Sequence, residues 1–184
     1  QVARLLRYVI QDLSEQVAEG QFQAPVLMVR ALIEKLPPVL NLAGDDKEIL
    51  LKILRRGLKL LERMAAEPAS PQLKFELWEI LEAELSKPYC LKNDLHLNIL
   101  QLLSILAPVL SREEEYLDLL LNCCREDFLT PPQQIALAAL RLETLSQRGE
   151  EAELEKQLAL VQEDEDLLFG LLEHQLKQPR PSGI

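Results

Sequence analysis

Aromatic side chains are scarce in this chain, at 4% of residues, and glycines number only six. Strands draw on aromatic and β-branched residues and turns draw on glycine, so a sheet has little to build from. No apolar–polar alternation runs long enough for a strand. Histidine occurs twice, at His96 and His174, and neither stands in a Glu-x-x-His or His-Glu-x-x-His spacing. Helix-borne metal sites of those types therefore lack their ligands. The glycines are isolated, which excludes a glycine-rich phosphate loop, and no Gly-x-Ser-x-Gly is present. No catalytic, metal or cofactor site is expected. Cysteine occurs at Cys90, Cys123 and Cys124, an odd number with an adjacent pair, which is not a disulfide framework. That usage fits a reducing compartment, cytosol or nucleus. Charges interrupt every apolar stretch short of the roughly 18 residues that cross a bilayer, so no membrane partner is expected.

Leucine dominates what is present, with Glu, Lys, Gln and Ala behind it, and these are helix formers. Hydrophobic residues make up 48% of 184, enough to bury the core of one domain. The expected domain covers 1–178, with an exposed tail at 179–184. The chain opens inside a helical pattern without Met and closes on "QPRPSGI", so a segment of a longer protein is expected. A net charge of −10 argues against broad binding to nucleic acid or anionic membrane.

Apolar residues at helical spacing place helices over 2–18, 24–36, about 46–66, 71–87, about 93–106, 112–126 and 131–148. Gly20 and Gly149 are stop signals, and Pro37–Pro38 and Pro108 are expected to end the second and fifth helices. Asp45 or Asp46, Ser70 before Pro71, Ser111 with Glu114, and Thr130 before Pro131 are the expected starts. Residues 150–176 form one helix, or two broken near "EDED".

"LMVRALIEKLPPVLN" (27–41) and "LNILQLLSILAPVLS" (97–111) share six of fifteen positions at an offset of 70, including Pro-Val-Leu, which is not common currency in a leucine-rich chain. "ILLKILR" (49–55) meets "LLLNCCR" (119–125) at the same offset, and "SPQLKFELWEILEAELS" (70–86) meets "TPPQQIALAALRLETLS" (130–146) at an offset of 60. Two three-helix units follow, 24–87 and 93–148, with flanking helices. Cys123 and Cys124 align with Ile53 and Leu54 and read as small core residues.

This organisation resembles the armadillo/HEAT class of helical-repeat proteins, in architecture rather than by a signature motif. The resemblance implies an all-α, right-handed solenoid of antiparallel helices that binds partner proteins. It also implies a peptide groove along the third helix of each unit, here 71–87 and 131–148. In the import-receptor branch Trp and Asn recur there four residues apart. Here Trp78 is followed by Glu82, and the second copy has Ala138 and Leu142, so the import motif is absent.

One stretch runs against the acidic composition. In "KILRRGLKLLER", Lys52, Arg55, Arg56, Lys59 and Arg63 share one helical face. Arg56, Lys59 and Arg63 lie within about 40° of Lys52, and Arg55 about 60° off, at 100° per residue. Like charges at i, i+4 cost a few tenths of a kcal/mol each, about 1 kcal/mol over three pairs. Four readings compete: a solvated face; an acidic neighbouring helix bearing Glu76, Glu79 and Glu82; an acidic or phosphorylated partner peptide; and nucleic acid. Trp78, the only tryptophan, is a candidate anchor for a partner, with packing between helices as the competing reading. The expected function is a non-catalytic protein–protein interaction module of an intracellular scaffold or adaptor, with the basic stripe as the candidate site. The alternatives are a structural self-association module and a nucleic-acid-associated domain.

Overall fold

The computed structural model describes residues 2–40, 44–66, 71–85, 87, 90, 95–122 and 129–177. The described residues are all-α: helices α1 (Val2–Ala18), α2 (Gln23–Leu40), α3 (Lys47–Ala66), α4 (Pro71–Leu85), α5 (His96–Leu110), α6 (Glu113–Asn122), α7 (Pro131–Arg148), α8 (Glu151–Glu163) and α9 (Glu165–Lys177), with a 3-10 turn at Gly44–Asp46 leading into α3. They contain no strand. No described helix is long and apolar enough to cross a membrane. The chain divides into two compact units, Gln1–Leu119 and Leu120–Ile184, the boundary falling inside α6.

In the N-terminal unit α1 packs on α2 and α3, α2 on α3 and α4, and α5 on α3 and α4. The apolar stripe of α3 supplies much of this core: Ile53, Leu54, Leu58, Leu60, Leu61 and Met64 are buried. Each such side chain contributes about 1.5–3 kcal/mol of burial before ordering entropy is charged against it. Gly57 lies on the same helix against α2, where an added Cβ would sit 3.6 Å from Val29. Trp78 of α4 is 0% exposed, and its indole N–H donates to Glu82 Oε2 at 3.0 Å. Arg112, just ahead of α6, lies 4.5 Å from the Phe75 ring centroid and 5.5 Å from the Trp78 ring, and donates to Glu79 Oε1 at 3.1 Å. A guanidinium over an aromatic face with a carboxylate at its edge ties the end of α5 to α4.

In the C-terminal unit α7, α8 and α9 pack on one another. Pro131 occupies the first position of α7, and the Thr130 N–H donates to Gln133 Oε1 at 2.9 Å. Gly149 ends α7 in the left-handed conformation at φ 69°, and the Glu150 N–H returns to the Leu145 carbonyl at 3.1 Å. The break in "EDED" is real and produces two helices: the Leu167 N–H donates to Asp164 Oδ1 at 3.1 Å, so Asp164 caps α9. An added Cβ at Gly170 would fall 2.3 Å from Ile135 Cδ1, so this glycine permits the close approach of α9 to α7.

Three helix boundaries differ from the sequence expectation. α2 runs through Pro37 and Pro38 to Leu40, and α5 runs through Pro108 to Leu110. Each proline gives up its own bond to the i−4 carbonyl, and the helices run on only two residues past Pro38 and Pro108, so these prolines end α2 and α5 within a turn instead of where they stand. The end of α5 comes at Ser111, left-handed at φ 54°, where the Arg112 N–H closes back on the Ala107 carbonyl at 2.9 Å. Ser111 therefore closes α5 instead of capping α6. Third, α4 ends at Leu85, two residues short of Lys87. Ser70, Cys123, Cys124 and the tail lie outside the described residues.

Candidate functional site

The hydrophobic pattern of α3 dictates where its charges go. With its leucines turned inward, Lys52, Arg56, Lys59 and Arg63 are exposed, and Arg55 is half-buried. Arg55 reaches back two turns to Glu48, at 3.9 Å. The pair lies at the surface, with Glu48 exposed and Arg55 half-buried, so it contributes at most about 1 kcal/mol.

The helix facing this stripe is α1. Ile10, Leu13 and Val17 anchor α1 in the core. Their burial fixes the rotation of the helix and turns Arg4, Arg7, Tyr8 and Gln11 along one edge, an arc of about 100° at 100° per residue. Between α1 and α3 lies a groove of about 660 Å³ lined by Arg4, Arg7, Tyr8, Ile10, Gln11 and Ser14 on one wall and by Arg56, Lys59, Leu60 and Arg63 on the other. Ile10 and Leu60 are buried at its base, whereas Tyr8 is 59% exposed. The Ser14 hydroxyl donates to the Ile10 carbonyl at 3.0 Å. Five cations thus line one groove, and no carboxylate is among the described residues that form it. None of the five makes an ion pair among the described residues.

The carboxylates that could have answered the stripe are committed elsewhere on α4. Glu79 takes Arg112, Glu82 takes the Trp78 indole, and Glu76 accepts from Gln72 at 3.3 Å. The neighbouring helix adds two more arginines where the sequence reading allowed for three glutamates. Of the five stripe residues, Arg56, Lys59 and Arg63 line the groove, while Lys52 and Arg55 do not. Trp78, the candidate anchor, is enclosed in the core of the N-terminal unit.

Arg4, Arg7, Tyr8 and Gln11 escaped the sequence reading. Their signal was present: 4, 7, 8 and 11 fall at helical spacing opposite the apolar stripe of α1. What the sequence does not say is that α1 lays this edge beside α3. Among the described residues no group of three His, Cys, Asp or Glu could hold a metal ion. Comparisons with protein-family models, with curated proteins and with solved structures find no match to this chain.

Proposed function

We propose that the protein is a non-catalytic interaction module whose α1–α3 groove binds an acidic segment of a partner protein. The single observation that carries this reading is the set of five cations on two facing helices with no carboxylate among the described residues that line the groove. Like charges gathered this way oppose folding, and an acidic chain had glutamates available to relieve them. A groove whose walls offer only positive charge, with Tyr8 and Gln11 as neutral donors, is complementary to an anionic ligand. Its charged walls are short, about 15 Å from Arg4 to Ser14 at 1.5 Å per residue, which suits a short peptide better than a duplex.

The scaffold is read as a right-handed solenoid of antiparallel helices, armadillo/HEAT-like, with units 24–87 and 93–148 in one domain of an intracellular adaptor. Matching helix ends support it. α2 stops at Leu40 and α5 at Leu110, 70 residues apart like the sequence repeat, and α4 and α7 begin at Pro71 and Pro131. The test of function is affinity capture with the wild-type chain and with an Arg7→Glu/Arg56→Glu variant. A partner retained by the first, lost by the second and eluted by salt supports the reading. Identical capture by both refutes it.

A second reading, self-association, is favoured by one observation in the C-terminal unit. Phe169, Leu172 and Leu176 are exposed at i, i+3 and i+7 of α9, an apolar strip with a second copy of this chain as its simplest cover. A mass that rises with concentration, and stops rising in a Phe169→Ser/Leu176→Ser variant, distinguishes it from the groove reading.

A further inference from the structure

The groove also carries information about the chemistry of its ligand; this step rests on the reading of the α1–α3 groove as the binding site. Four of its five cations are arginines, Arg4, Arg7, Arg56 and Arg63, with Lys59 the fifth. Arginine presents a planar fork that takes two oxygens of one anion, whereas lysine offers a point charge. The charge per length is the sharper constraint. An extended segment advances about 3.3 Å per residue, so about five residues fit along the 15 Å wall. Alternation turns only two or three of those side chains inward. Glutamates or aspartates there would bring a charge of about −2 or −3 against five cations. A helical segment does no better, because one face offers about three positions over the same rise.

Two phosphate esters at alternate positions bring about −3 to −4 in total, with three acceptor oxygens each. That matches the cation density with side chains that can all point inward. Tyr8 and Gln11 add neutral donors on the α1 wall, and a groove of about 660 Å³ has room for both groups. We propose that the groove recognises a doubly phosphorylated segment of a partner protein, its two phosphoresidues at alternate positions with one residue between them, with arginines from both α1 and α3 on the phosphates.

The test uses the full chain and three fluorescent peptides, Gly-Ala-Ala-X-Ala-X-Ala-Gly, with X as serine, glutamate or phosphoserine. The expected result is binding of the phosphoserine peptide at least about tenfold tighter than the glutamate peptide, a difference of about 1.4 kcal/mol, and no binding of the serine peptide. Arg7→Glu and Arg56→Glu should each abolish the preference, and Lys52→Glu, outside the groove, should preserve it. Equal affinity for the glutamate and phosphoserine peptides overturns the phosphate inference and leaves the acidic-segment reading standing. Failure of all three peptides overturns both. Tighter, Arg56-dependent binding of a short thymidine oligonucleotide overturns both in favour of nucleic acid.

Discussion

Arg141 Nε donates to the Leu120 carbonyl oxygen at 2.9 Å, and its Nη2 donates to the Leu121 carbonyl oxygen at 3.2 Å. The arginine is 8% exposed. Leu120 and Leu121 lie in the last described turn of α6, toward the end at which the macrodipole favours a cation. One side chain from α7 therefore brings two donors and a positive charge to the carbonyls of α6.

Arg141→Met keeps the stem and removes the fork, and with it two charge-assisted hydrogen bonds. The expected loss is about 1.5–3 kcal/mol, the range for hydrogen bonds to charged groups. Arg141→Lys should recover only part of it, because a lysine lacks the fork. Urea unfolding of the three proteins measures this, and equal midpoints would remove the role of Arg141 in tying α7 to α6.

The two helical glycines separate propensity from packing. At Gly57 an added Cβ meets Val29 at an ordinary 3.6 Å, so Gly57→Ala should stabilise by about 0.5–1 kcal/mol through helix propensity alone. At Gly170 the added Cβ falls 2.3 Å and 2.7 Å from Ile135 Cδ1 and Cγ1, and a β-branched side chain moves with difficulty. Gly170→Ala should therefore lose about 1–3 kcal/mol despite the same propensity gain. Thermal midpoints that move in opposite directions support the two environments; a Gly170→Ala protein that melts higher contradicts the close approach.

Charge in the groove should be a measurable cost to the free protein. Lys59→Glu exchanges two repulsive i, i+4 contacts, with Arg55 and Arg63, for attractive ones. About 1 kcal/mol of stabilisation follows at low salt, some 2–4 °C in the thermal midpoint for a chain of this size. The difference should shrink as salt is raised toward about 1 M, where charges are screened over about 3 Å. A variant that melts below wild type at low salt would mean that Lys59 has a structural partner.

The fold was legible at several positions where the signal is local. Gly20, Gly149 and the Thr130–Pro131 start act through backbone geometry that the residue itself determines, and the structure places them as read. The left-handed turn at Ser111 was not legible, because nothing in a serine announces φ 54°. Arg141 shows the deeper limit. In the repeat alignment it stands where the first copy has Leu81, which is 1% exposed, so periodicity alone assigns it an apolar environment. The Leu120 and Leu121 carbonyls of another helix give a buried arginine two acceptors there. The candidate site divides the same way. The charges of α3 follow from its amphipathic pattern, and the contribution of Arg4 and Arg7 follows from the packing of α1.

The claim that the groove is a ligand site is tested most directly by the thermal midpoint with and without the phosphoserine peptide, in wild type and in Arg56→Glu/Lys59→Glu, at low salt. Ligand at about a hundredfold above its Kd stabilises the folded state by about 2.7 kcal/mol. The wild-type midpoint should rise by several degrees on adding the peptide, while the variant, melting higher on its own, should not respond. A wild-type midpoint that does not move, or a variant that rises equally, contradicts the claim.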